Sequence, residues 1–396
     1  MSEEWLRSYA LLALRVDRQA GGPNTSGLTL IYRGPREWRE EVEREEPVAP
    51  GRLVEDAERL LDDLPFEAGR AAYLAGQVRA LRMVARRLDG ARVPLPEFVR
   101  ESLGIEAGWV PESVFAEAHE ELDAALPSSP GSLAEQTAAW RAAHRLESFE
   151  RLPALVAAAV RETRARTAEI VPLPENEAVG CRLVSGVPFH LAGSHEGGPD
   201  STIHINRDLP FNLADLLYVI AHEGHPGHIA ESVLKEIHLA GRLEQRVRFL
   251  LSPQGVISEG LGLAAEELIF PGDEAREWLV RHVLKEDPGD LAALHHAANV
   301  LWGVWANAAL MAAEGRPEGE VRGYLSRWAL LGDEELAAAV PLIAVPGGNA
   351  YLFAYYHGWR LVRGWLDVPS QGDRARKRER ARRLLTEQLL PADLAT

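Results

Sequence analysis

Three histidines and a glutamate fall within the short string His222-Glu223-Gly224-His225-Pro226-Gly227-His228. Imidazole and carboxylate are the ligands a catalytic zinc takes, with three protein ligands and one position left for water. Water held there has its pKa lowered to about 7 and becomes a usable nucleophile. A glutamate directly after the first ligand is placed to take that water's proton and pass it to a leaving group. In the common zinc-hydrolase pattern the two histidines stand four apart on one helical face, with the glutamate second. Here the residue four after His222 is Pro226, so the regular spacing fails. Two arrangements stay open on spacing alone. His225, three after His222, lies on a neighbouring part of a helix surface, whereas His228, six after it, lies on the opposite side of a regular helix. Pro226 has no N–H for the carbonyl of residue 222, and its ring disturbs the preceding turn. Gly227 permits backbone angles that other residues avoid. A bulge at that point would turn His228 back toward the ion.

Further strings accompany this one. Ile203-His204-Ile205-Asn206 alternates like a strand just before it, Ser258-Glu259-Gly260-Leu261-Gly262-Leu263-Ala264-Ala265-Glu266 follows it, and Pro346-Gly347-Gly348-Asn349-Ala350-Tyr351 lies near the end. The run from His222 to Glu231 resembles the HExxPGHxxQ signature of bacterial domain-of-unknown-function family 885, in the zincin-like metallopeptidase superfamily. The later strings resemble that family's SEGWAxYxE and PGQAxxY segments, and the clear matches cover roughly residues 200–360. The resemblance implies His222 and His228 as metal ligands, Glu223 as general base and Glu259 as third ligand. It leaves His225 on a variable position. It also makes Glu266, seven residues after Glu259 on the same helical face, a candidate partner for a ligand histidine. The chain departs from the pattern at Leu261, Ala264 and Glu231, where the family has Trp, Tyr and Gln, and at Gly348-Asn349. Those departures bear on substrate preference and on the oxyanion donor, not on the ligands.

Acyl transfer at zinc needs a donor for the developing oxyanion. The stretch Tyr351-Leu352-Phe353-Ala354-Tyr355-Tyr356-His357 offers four, and Tyr351 with Tyr355, one turn apart, are the preferred pair over Tyr356 and His357. An extended substrate peptide would pair with the strand at 202–206 by edge addition. The adjacent His295-His296 reads as helix interior, His190, His195 and His204 as loop or strand residues, Arg360 and Arg363 as surface cations, and Cys181 as a small apolar side chain.

The elements that must position these groups are mostly helical. Apolar residues recur at helical spacing over 4–19, 52–63, 66–89, 95–104, 111–125, 132–146 and 148–170, and again over 256–269, 273–285, 289–314, 317–330, 349–366 and 372–389. Proline, glycine and serine punctuate them. Asn212 is a good cap for the helix leading into His222. Residues 175–210 form the one convincing β region, with Val179–Val184 and Val187–Ala192 read as a hairpin about Ser185-Gly186. The expected architecture is a mostly α, multi-helix fold with a small antiparallel sheet beside the motif helix. It divides into a helical scaffold lobe over 1–174 and a metal-site lobe over 175–396, or forms one continuous domain with a cleft.

Composition bounds the rest. With 396 residues, 46% of them apolar, the chain can bury a sizeable core. Its net charge of −16 argues against nucleic acid and anionic membranes as partners. One cysteine excludes an internal disulfide or a Cys-x-x-Cys centre. The N-terminus lacks the basic start and cleavage site of a secretory signal, and no stretch approaches a membrane span of about 20 apolar residues. The expectation is a cytoplasmic, zinc-dependent hydrolase of a peptide or small amide substrate, carboxypeptidase- or oligopeptidase-like. Two alternatives are a non-catalytic metal-binding helical protein that retains the site, and a helical scaffold without metal.

Overall fold

Helices form where the apolar periodicity places them. In the first half they span Ser2–Ala20, Pro50–Asp62, Ala68–Leu88, Leu95–Leu103, Glu112–Ala125, Leu133–Ala143 and Leu152–Ala168. Local chemistry sets several starts. Ser132 and Glu135 make a reciprocal capping box, and Pro50 stands in the first turn of its helix, where the missing N–H costs nothing. Several helices escape the periodicity reading, Arg36–Arg44 and Asp333–Ile343 among them. Arg36–Arg44 buries only Val42, whereas Asp333–Ile343 buries Leu336, Ala339, Val340 and Ile343 at helical spacing but carries Pro341 inside it. The computed structural model describes residues 2–21, 28–345, 348–367 and 374–395. Pro346 and Gly347 of the late motif, and the first two positions of the helix expected over 372–389, lie outside the described residues.

Among the described residues five strands are present: β1 (Leu30–Tyr32), β2 (Ala178–Val184), β3 (Leu191–His195), β4 (Asp200–Asn206) and β5 (Val247–Phe249). β1 and β5 make a small antiparallel pair that the sequence did not announce, each being three residues long. The larger sheet has the order β2-β4-β3. The expected hairpin between 179–184 and 187–192 is therefore not formed. β4 lies between the two segments, antiparallel to β3 and parallel to β2. Asn206, at the end of β4, ties down the segment between β2 and β3. Its side-chain amide donates to the carbonyls of Val187 and Phe189, both at 3.1 Å, and holds that segment as a loop. With a partner on each side, 202–206 is not an edge. The strand facing the motif helix is β3.

Among the described residues a small cluster of buried side chains joins Leu11, Leu14 and Val42, and the main core cluster runs from Trp5 to Leu394. At its centre lies the helix Pro253–Ile269, here the glutamate helix, buried along nearly its whole length. Glycine permits its closest packing. A methyl group on Gly260 would stand 2.2 Å from the carbonyl oxygen of Gly358, in the helix Leu352–Leu366. The two backbones therefore touch, and Tyr351 at the head of the second helix comes down on Glu259. Among the described residues no helix is long and apolar enough to cross a membrane.

Candidate metal centre

Asn212 caps the approach to the motif, its side-chain oxygen accepting from Ala214 N at 2.9 Å. The first motif helix runs Leu216–Glu223 and the second His228–His238. The join is more than a bulge. Gly227 N donates to Ala221 O at 3.0 Å and Ala230 N to Gly224 O at 3.0 Å. Each bond spans six residues instead of the helical four, so the ladder is spliced across two extra residues. His228, six after His222, thus takes the place of a residue four on, one turn away on the same face. Gly227 is required at the splice, since a Cβ there would lie 1.8 Å from the carbonyl oxygen of His222. The looped-out His225, joined to Pro226 by a cis peptide, goes the other way. It is fully buried with Nε2 2.9 Å from Glu177, which also pairs with Arg164.

His222, His228 and Glu259 converge, with one ligand atom from each lying within 4.8 Å of the others. His222 Nε2 stands 3.5 Å from one Glu259 oxygen and His228 Nε2 3.6 Å from the other. Two atoms each about 2.1 Å from a tetrahedral zinc stand about 3.4 Å apart, so these separations fit such a set. The imidazole planes cross at 87° with centroids 4.7 Å apart, so the rings do not stack face to face. Gly262 makes room for His222, because a methyl there would lie 2.8 Å from the ring. Burial pulls the His222 pKa down, but the hydrogen bond to Glu259 and the charges of Glu223 and Glu259 outweigh it and leave it raised. Glu259 is shifted the opposite way. Burial favours its neutral form, and the charge of His228 with the hydrogen bonds from His222 and Tyr351 overcome that and lower its pKa.

The surroundings orient the set. His228 Nδ1 is 3.1 Å from Ser258 Oγ, and that hydroxyl in turn donates to Glu231. With the hydroxyl proton committed to Glu231, His228 donates from Nδ1, which orients the ring with Nε2 toward Glu259. Glu231 is fully buried and anchored by Lys235 at 2.7 Å and Arg248 at 3.2 Å, whose charges outweigh burial and hold its carboxyl below the usual range. Ser258 and this anchor were not singled out from the sequence, although Ser258 directly precedes Glu259 in the motif string. Glu223 lies beside the set and accepts a hydrogen bond of 2.6 Å from Gly193 N on β3. The strand passes so close that only glycine fits, a Cβ at 193 falling 2.3 Å from the carbonyl oxygen of Glu223.

Tyr351 OH donates to Glu259, and Tyr355, 5.4 Å from it ring to ring, stacks on Trp302 at 4.3 Å. Burial first and the charge of Glu259 second push both phenols well up, so both keep their protons as donors. Tyr351 N is held by Asn349 Oδ1 at 3.1 Å, which gives the departing Asn349 a structural role. Glu266 does not reach a ligand histidine. It pairs with His295, 2.5 Å from Nδ1, while Asp215 lies 3.2 Å from Nε2. The helix Leu291–Ala313 brings His295 between them, a placement that spacing along the glutamate helix cannot reveal. His295 thereby ties the entry of the first motif helix to the glutamate helix. His296 pairs with Glu121 at 2.7 Å, and His195 lies between Ser201 and Glu236.

No family model matches the chain, and no curated protein matches it. Solved structures resemble its fold. The structure titled as a "putative lipoprotein" from Colwellia psychrerythraea matches with a TM-score of 0.56 at 14% identity, over 88% of this chain and 66% of that one. A "putative lipoprotein of unknown function" from Shewanella oneidensis matches with a TM-score of 0.53 at 12% identity, over 90% of this chain and 74% of that one. The chain thus spans about two thirds of the length of the Colwellia protein. At these identities the likeness is one of fold.

Proposed function

We propose that this chain is a zinc-dependent hydrolase of peptide or other small amide bonds, of the zincin-like kind its motifs resemble. His222, His228 and Glu259 are the ligands and Glu223 the general base. The observation that carries the reading is the convergence of three ligand atoms, two imidazole nitrogens and one carboxylate oxygen, within 4.8 Å of one another. Two imidazoles and one carboxylate are the donor set of a catalytic zinc with a position left open.

Zinc in such a site supplies a water of lowered pKa and a Lewis acid for the scissile carbonyl. The chain's own residues do the rest. Glu223 takes the proton of the attacking water and returns it to the leaving nitrogen. Its carboxylate is aimed by Gly193 N, so it needs little reorganisation. Tyr351 and Tyr355, held protonated by burial, are the donors for the developing oxyanion. An extended substrate segment has the outer edge of β3, rather than β4, as its pairing partner.

The test is metal content of untagged protein together with cleavage of a peptide panel. Zinc and cleavage support the reading. Zinc without cleavage points to a metal-binding protein that retains the site, and absence of both returns the chain to a helical scaffold.

A further inference from the structure

We infer that the substrate ends in a free carboxylate and that Arg145 is the group that reads it. The inference rests on the hydrolase reading above and sharpens it to removal of a short piece from a C-terminus. A cavity of about 470 Å³, in the range of small-ligand sites, lies between the first motif helix and the start of β3. Val219 and Leu191 line it. Val219 is one helical turn before Glu223, and Leu191 is two residues before the Gly193 that holds the Glu223 carboxylate. The cavity is thus lined by a residue one turn before the general base, roughly 5 Å along the helix, and by the first residue of the edge strand.

Its charges are unequal in one respect. Arg141 is matched by Glu335 at 2.8 Å, and Asp215 by His295 at 3.2 Å. Arg145 also lines the cavity, and among the described residues its guanidinium has no acidic or carbonyl partner. A second donor is spare beside it, for Asn212 Nδ2 is buried without a hydrogen-bond partner. The backbone that carries Arg145 is pinned to the entry of the motif helix. Arg145 bridges Asn212, Leu146 N donates to Phe211 O at 2.8 Å, and Leu213 N donates to His144 O at 2.8 Å. An unmatched guanidinium on a fixed platform, with an amide N–H next to it and apolar Leu191, Phe211 and Val219 around it, suits a terminal carboxylate with its side chain. In the reaction the amide C–N bond breaks and water's oxygen joins the acyl carbon. The proton carried by Glu223 goes to the nitrogen of the piece that Arg145 holds.

The test compares ligands and peptides that differ only in a free or amidated C-terminus. N-acetyl-phenylalanine and N-acetyl-phenylalaninamide are titrated into the full chain as purified, wild type and Arg145→Met, with thermal unfolding as a check that the variant folds. The comparison between variants cancels whatever a bound ion contributes. Wild type is expected to favour the acid on the order of 10- to 100-fold, the range of a charge-assisted hydrogen-bonded pair. Arg145→Met should lose that preference, and Arg145→Lys should recover part of it. In kinetics the same substitution should raise KM for the free peptide and leave the amidated one unchanged. Equal binding of acid and amide by wild type, or a preference that survives Arg145→Met, overturns the inference. If amidated and free peptides are cleaved alike, the carboxylate site fails while the hydrolase stands. If the acid preference holds in a chain without zinc or cleavage, the hydrolase reading fails instead.

Discussion

The glutamate helix carries two buried imidazole–carboxylate groups, seven residues apart, and they are built in opposite ways. Around Glu266, both nitrogens of His295 are spent on carboxylates, at 2.5 Å and 3.2 Å. Burial alone would neutralise that ring, but the charges and hydrogen bonds of Glu266 and Asp215 prevail and raise its pKa to about 10. Around Glu259, the Nε2 atoms stand back at 3.5 Å and 3.6 Å, and the nitrogen His228 spends is Nδ1, on Ser258. The first arrangement is a closed ion pair that clamps two helices. The second gathers two imidazole nitrogens and a carboxylate within 4.8 Å of one another, without closing them into short pairs. Residue type does not separate a structural histidine from a ligand; what its nitrogens are already doing does. His225, closed on Glu177 at 2.9 Å, belongs with the first kind.

Four substitutions would break or sharpen this contrast. Glu223→Gln should lower turnover by about 10²- to 10⁴-fold, the range of general base catalysis, with zinc content unchanged. A variant that lost its metal as well would place Glu223 among the ligands. Tyr351→Phe should lower kcat by about 10²- to 10³-fold as an oxyanion donor is removed. An effect confined to zinc affinity would reduce Tyr351 to a support for Glu259. Ser258→Ala should weaken zinc binding by about 10- to 100-fold, because His228 loses the partner that fixes its tautomer. Unchanged affinity in a metal-buffered titration would remove Ser258 from the site.

His295→Gln should leave the ligands in place and act on stability. The imidazolium is favoured in the folded state, with a pKa of about 10 against an ordinary value near 6.5. Its contribution is therefore complete below about pH 6.5 and is lost as pH rises toward 10. Thermal unfolding of the wild type should decline over that interval, and His295→Gln should lack that component of the decline. An identical pH profile in both proteins would mean that His295 is not the charged clamp.

The sequence made much of this legible, and the gaps have physical causes. Long apolar stripes located the helices within a few residues, because burial of one face decides helix existence. The strings around His222, His228 and Glu259 pointed to the three residues that the structure brings together. Spacing could not choose between His225 and His228, since the choice depends on a ladder that skips two residues between Ala221 and Ala230. The hairpin reading failed because β4 pairs between the two segments, with Asn206 bonding the loop that joins them, and such long-range pairing is not written in local alternation. Glu266 shares the face of Glu259, as its spacing says, but its partner is set by a helix some 30 residues downstream. Ser258 and Gly193 matter through approach distances, which one-dimensional patterns do not contain.

The central claim is that the splice puts His228 rather than His225 beside His222 for a shared ion. Elemental analysis of untagged wild type, His228→Ala and His225→Asn, each confirmed folded by circular dichroism, tests it most directly. The account predicts about one zinc per chain in wild type and His225→Asn and none in His228→Ala. Zinc retained without His228, or absent from the folded wild type, would contradict it.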